Sequence, residues 1–273
     1  MNTILRRFSV LSRFVLAIVL GALAIILSGM IVIPFIRQCF PFTITILLII
    51  ATWIMYRTDN QTLKLIGLDI TGRNIGFLLL GLAIGIVALG VENYLRTLYI
   101  GEAWPFNSMV NTVNLWQGLY FILPTVAMQE LIFRGYLFTK TIEVSNIITA
   151  NIAFGILFML MHVLDRNVLH NLGQLIFLAI SIPVGHLLFA TALLKSKTLL
   201  FPIGLHWGNN WASSYLLGTS KNEYVIFYTS NQQLFTTWTP FIMILFIFNG
   251  FFLLVSYLIW KVPVYAKTCL NKL

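Results

Sequence analysis

Residues 117–138 read QGLYFILPTVAMQELIFRGYLF. The stretch is apolar enough and long enough to cross a bilayer, yet Glu130 and Arg134 stand four residues apart near its end. Whether that pair sits in water or in lipid decides the fold. The rest of the chain answers: 59% of its 273 residues are hydrophobic, 9% are charged, and mean hydropathy is +0.91. A soluble domain carries about 25% charged residues. No polar stretch is long enough to form a water-soluble domain beside the apolar runs. The chain therefore reads as a polytopic membrane protein. The apolar runs are continuous, whereas barrel strands alternate over segments of roughly 10 residues, so helices are expected.

Working outward, eight apolar spans are expected at 14–36, 39–56, 75–91, 115–139, 146–163, 168–194, 199–218 and 237–260. They predict an all-α, polytopic transmembrane bundle of about eight helices, organised as a single transmembrane domain over 1–273. The first span runs between Arg13 and Arg37, too long for the apolar region of a signal peptide. With the N-terminus inside, twelve Lys and Arg fall in inside segments and four in outside segments, Arg134 set apart. That bias predicts cytoplasmic N- and C-termini and an integral, multi-pass protein of the plasma membrane. The segment 92–114 is the longest expected outer loop, with Tyr99 and Trp104 as interfacial anchors. The net charge of +9 is spread over many loops and forms no block, so membrane lipids are the expected partner and nucleic acid is not. Cys39 and Cys269 are too few and too far apart to suggest a disulfide framework or a metal knuckle.

An ionisable side chain inside a span costs about 2.5–3.5 kcal/mol, so each one asks for a reason. Glu130 and Arg134 share one helix face at i, i+4 and can pair, which lowers the cost of both. His206 and Asn210, in HWGNN, share a face in the same way. His162 ends FMLMH, four residues after Phe158. If the turn between the fourth and fifth spans centres near Asn146, Glu130 and His162 lie at equal height. His206 follows the Lys195–Lys197 turn closely, so tilt or a protruding hairpin is needed to bring it level. Each feature alone has a plain structural explanation: an ion pair joining helices, a satisfied imidazole, or interhelical hydrogen bonds. His170 and His186 are expected to be structural or interfacial. Together, an acid, two histidines and an amide on three inward-facing segments make the inventory for water activation and oxyanion stabilisation.

QELIFRG, FMLMH and HWGNN, in this order, resemble the three motifs of the CPBP intramembrane proteases, which include CAAX prenyl endopeptidases and bacteriocin-processing enzymes. The family pattern is Glu-Glu-x-x-x-Arg, then Phe-x-x-x-His, then His-x-x-x-Asn. The similarity covers about residues 115–215, the motif core. It implies a bundle of about eight helices that hydrolyses peptide bonds of membrane-anchored or lipidated, CAAX-type substrates with a glutamate-activated water. Carried over, His162 would assist that water, His206 and Asn210 would stabilise the oxyanion, and Arg134 would hold Glu130, with Gln129 and Phe158 lining the site. The chain holds no His-Glu-x-x-His, so neither metal nor cofactor is expected.

One position departs from the pattern: Gln129 stands where the family has its first glutamate, and an amide cannot take up a proton as a carboxylate does. Three outcomes follow. Glu130 serves as base in a rearranged site, the site works by oxyanion stabilisation and His162, or the protein binds without cutting, as a pseudoprotease or immunity protein. A transporter is the remaining alternative, since intramembrane charges also mark ion paths.

Overall fold

The computed structural model describes residues 9–31, 33, 40–229 and 237–262. Cys39 and Cys269, and the basic residues Arg6, Arg7, Arg37, Lys267 and Lys272 used in the topology count, lie outside the described residues. The described chain is helical nearly throughout. In order come α1 (Val10–Met30), α2 (Thr43–Thr58), a 3₁₀ turn (Leu63–Ile66), α3 (Gly72–Ile100), α4 (Thr112–Arg134) and α5 (Tyr136–Val144). Then follow α6 (Ile147–Val163), α7 (Arg166–Leu169), α8 (Leu172–Ser196), α9 (Leu200–Tyr215), β1 (Leu217–Gly218), β2 (Phe227–Tyr228) and α10 (Trp238–Lys261). The protein is thus an all-α membrane bundle.

Helix starts follow local chemistry. Ser9, Thr71, Asn111, Asn146 and Asn171 each cap a helix by accepting a hydrogen bond from a backbone N–H two or three residues on. By length and composition, α1, α3, α8 and α10 are sufficient to cross a membrane. The apolar helices α2 and α6 have 16 and 17 residues, about 24–26 Å at the α-helical rise and a little short of a ~30 Å hydrocarbon layer.

Two expectations are corrected. The fourth span does not run unbroken to residue 139. It ends at Arg134, and Gly135 separates it from the short α5. A Cβ at Gly135 would overlap the carbonyl oxygen of Leu131, so only glycine fits this break. The third span is also longer than its apolar run. α3 continues through Glu92, Asn93 and Arg96 to a left-handed Gly101, and Glu92 is buried rather than in an outer loop. Trp104 packs against Tyr94 and Phe227.

α9 is embedded. On one side it meets α3 backbone to backbone: a Cβ on Gly204 would overlap the carbonyl oxygen of Leu78, and one on Gly208 that of Leu82. The relation is reciprocal, since a Cβ on Gly81 or Gly85 would overlap the carbonyl oxygen of Phe201 or Leu205. Gly81-x-x-x-Gly85 and Gly204-x-x-x-Gly208 thus face each other, the arrangement by which small residues let membrane helices approach closely. On the other side, the indoles of Trp207 and Trp211 donate to the carbonyls of Leu119 and Leu115 on α4, at 2.9 and 3.0 Å.

Polar loops sort to the two ends of the bundle. At one end Arg13 pairs with Asp59, Lys140 lies 3.2 Å from Asp59, Arg73 donates to the carbonyl of Ser196, and Thr198 donates to that of Gly67. At the other, the fully buried Asn107 amide donates to the carbonyl oxygens of Asn222 and Val225 beside the small parallel pair β1–β2.

Candidate active site

The fourth span brings Glu130 and Arg134 to the inner face of α4 one turn apart, and both are 0% exposed. Their expected pair forms, with Arg134 Nη1 3.1 Å from Glu130 Oε1. The same oxygen accepts a second hydrogen bond from across the bundle: His206 Nδ1, on α9, lies 2.7 Å away. One carboxylate oxygen therefore joins a cation on its own helix to an imidazole on another. Such charge-assisted bonds are strong, and they offset part of the cost of removing three polar groups from water. The height question raised by the sequence is answered by this contact.

Aromatic rings enclose the cluster. The Arg134 guanidinium lies 4.3 Å from the ring centre of Phe158 and 5.2 Å from that of Phe189, so its charge is met by two π faces as well as by Glu130. His206 stacks on Phe189 at 4.5 Å and 16°. Phe158 is the hub: its edge also meets His162 at 4.6 Å and His206 at 6.0 Å.

α6 runs antiparallel to the α4–α5 pair about the turn at Asn146. Phe138 meets Phe154, and Phe133 meets Phe158. These pairs are spaced evenly about residue 146, and the same register carries residue 162 level with residue 130. His162 itself turns back on its own helix, with Nδ1 2.8 Å from the Phe158 carbonyl oxygen. Nδ1 therefore carries the hydrogen, which leaves Nε2 as the acceptor of the neutral ring. The same logic applies to His206: its Nδ1–H points at Glu130, so Nε2 is the nitrogen left for chemistry.

The remaining predicted residues are near but not joined. Asn210 stands one turn beyond His206 on α9, partly exposed, and among the described residues its amide makes no hydrogen bond. Gln129 is adjacent to Glu130 but does not share its bonds, and its Oε1 is buried without a partner among the described residues. So are Glu130 Oε2 and Arg134 Nε and Nη2. Buried polar atoms are nearly always paired, so their concentration here marks a place built for more than packing.

His186 was expected to be structural or interfacial. It is 0% exposed on α8, against Phe138 and Phe158, and among the described residues neither ring nitrogen has a partner. Gly155 on α6 faces the ring. The sequence signal was available, a histidine deep inside an apolar span, but its neighbours were not. His170 is exposed near the end of α7. Among the described residues no three His, Cys, Asp or Glu side chains gather in a way that would hold a metal ion.

Fold and site together define a class: an integral membrane helical bundle with a buried carboxylate, guanidinium and imidazole joined across its helices. Residues 111–212, which carry all three motifs, match the family described as Rce1-like, type II CAAX prenyl endopeptidase Rce1-like. This is the CPBP-type protease family that the motifs resemble. Neither a curated protein nor a solved structure matches the chain.

Proposed function

We propose that this protein is an intramembrane endopeptidase that hydrolyses peptide bonds of membrane-anchored or lipidated substrates of the CAAX type. The observation that carries this reading is the hydrogen bond between Glu130 and His206, which joins the first and third motifs inside the matched segment. The chain works as one transmembrane domain, with residues 115–215 as its catalytic core, in the plasma membrane with both termini cytoplasmic.

In this mechanism the Glu130 carboxylate accepts from His206 Nδ1–H and fixes the ring, as a carboxylate does for a catalytic histidine. His206 Nε2 takes a proton from the attacking water, and Glu130 stabilises the imidazolium that forms. The imidazolium returns that proton to the leaving amine nitrogen. His162 Nε2 helps orient the water. The Asn210 amide donates to the developing oxyanion. Arg134 holds Glu130 in place. In this reading Glu130 serves less as the base than as the group that prepares one, because its Oε1 is already committed to Arg134 and His206. This arrangement does not require a carboxylate at position 129, so Gln129 is compatible with turnover. Gln129 Oε1, buried and unpaired, is available to accept from water or a substrate N–H.

The test is proteolysis by the purified, reconstituted protein on prenylated and non-prenylated membrane peptides. The native protein is expected to cut, and Glu130→Gln and His206→Gln are each expected to lose about 100-fold or more in kcat while remaining folded. Silence of the native protein, with activity gained in Gln129→Glu, would show instead a protein that binds without cutting.

A further inference from the structure

A concavity lies away from the Glu130 cluster. It is a cavity of about 1000 Å³ at the Arg13–Asp59–Lys140 end of the bundle, with walls from α1, α2, α5, α6, α8 and α10. Its contributors lie close to helix ends: Asp59 caps α2, Asn146 caps α6, Lys197 caps α8, and Trp260 is next to last in α10. In a bilayer this is the depth of the headgroups.

The charges lining the cavity do not balance. Arg13 pairs with Asp59, and Lys140 pairs with Asp59 and, at 2.9 Å, with Glu143. Lys197 also lines the wall, and among the described residues no carboxylate pairs with it. Three cations thus face two carboxylates, and the surplus charge is at Lys197. Its backbone is fixed in the left-handed region, φ 59°, with its N–H bonded to the Leu193 carbonyl. Partial burial holds its ammonium below the usual lysine range, because an unpaired charge there loses water without gaining an anion. Arg13 Nε, which also belongs to a lining residue, is buried without a partner among the described residues.

The flank of the cavity is apolar. Ile147 and Trp260 line it and are 39% and 52% exposed, and neighbouring Val144 is 46% exposed. A soluble anion has no use for that flank, whereas acyl chains attached to a headgroup would cover it. We propose that the cavity binds the phosphate of a net-negative phospholipid headgroup, with Lys197 and Arg13 as its donors and the acyl chains lying over Ile147 and Trp260. Basic pockets between helices near a membrane surface bind anionic headgroups in this way.

The experiment is thermal unfolding of the full protein in neutral detergent, with short-chain phosphatidylglycerol, short-chain phosphatidylcholine or inorganic phosphate added, and bound lipid counted by native mass spectrometry. Phosphatidylglycerol is expected to raise the midpoint by about 5 °C, with one lipid retained, and the other two additives are expected to do little. Lys197→Asn, which tolerates the left-handed backbone, should abolish the shift. Lys197→Gly provides the same loss of charge without backbone strain should the first variant fold poorly. Lys64→Asn, which removes an exposed charge outside the cavity at the same end, should keep the full shift. An equal shift with phosphatidylcholine, or an equal shift in both Lys197 variants, would overturn the site. The full shift with inorganic phosphate alone would overturn its assignment to a lipid.

Discussion

The two faces of α9 are held by opposite means. Toward α3 the closest contact is between glycines: Gly204 and Gly208 bring the backbones together with Gly81 and Gly85, where an added Cβ would overlap the facing helix. Toward α4 the contact is polar, with His206 on Glu130 and two tryptophan indoles on backbone carbonyls. Beside that polar face, Glu130 Oε2, Gln129 Oε1 and two Arg134 nitrogens have no partner among the described residues. Lipid gives no hydrophobic drive for helices to associate, so close packing alone can hold a membrane helix. The glycine face shows that α9 did not need polar groups to stay in place. A polar face with unmet hydrogen-bonding capacity is therefore best explained by chemistry, not by adhesion.

That contrast can be broken from either side. The largest effect is expected from Arg134→Ala, which leaves Glu130 buried without its cation and removes the guanidinium between Phe158 and Phe189. Breaking a buried pair costs about 3–5 kcal/mol, so the midpoint of thermal unfolding should fall steeply and activity should vanish with it. An unchanged midpoint would show that the pair contributes nothing to the fold. Next comes Gly208→Ala. Its Cβ meets the backbone of α3, which no side-chain rotation relieves, so overpacking should cost about 1–3 kcal/mol. The control Gly76→Ala, on α3 where nothing lies within 4 Å, should be neutral or slightly stabilising.

On the polar side, Glu130→Gln keeps the shape and one acceptor. Because it also leaves the buried Arg134 facing a neutral amide, it should lower the midpoint, though less than Arg134→Ala, while lowering kcat about 100-fold or more, if the proton chemistry runs through His206. Equal losses of stability and activity would make the residue structural. Trp211→Phe should cost only about 1 kcal/mol, the net worth of one hydrogen bond, read as a small drop in the midpoint. The smallest effect is expected at His186. Because neither ring nitrogen is paired among the described residues, His186→Phe removes two unmet polar atoms and should leave the stability unchanged or raise it by about 1 kcal/mol, read from the midpoint. A clear loss of stability would show that the imidazole has a partner in the membrane.

Several features were readable one residue at a time. The eight apolar runs each have a helix, since continuous hydropathy demands internally satisfied backbone. The pair Glu130–Arg134 forms because i, i+4 spacing on a helix leaves little choice. The left-handed Gly101 and the asparagine caps are where local chemistry places them. The glycine pairs at i, i+4 in α3 and α9 were also present as a pattern, although only contact shows which helices they join. The break at Gly135 was not readable, because an apolar run gives no sign that Leu131 will occupy the space of a side chain there. Nor was the length of α3, whose last turns carry polar residues that only burial explains.

The sequence by itself determined that this is a helical membrane protein, which spans it is built from, and which few polar residues stand inside them, because hydropathy and helical spacing are local properties of the chain. Only the tertiary structure decided that Glu130 shares one oxygen between Arg134 and His206, that Phe158 joins three motifs through one ring, and that Lys197 has no counter-charge among the described residues. Those are facts about residues far apart in sequence, and their distances are set by how helices pack, which no single helix encodes.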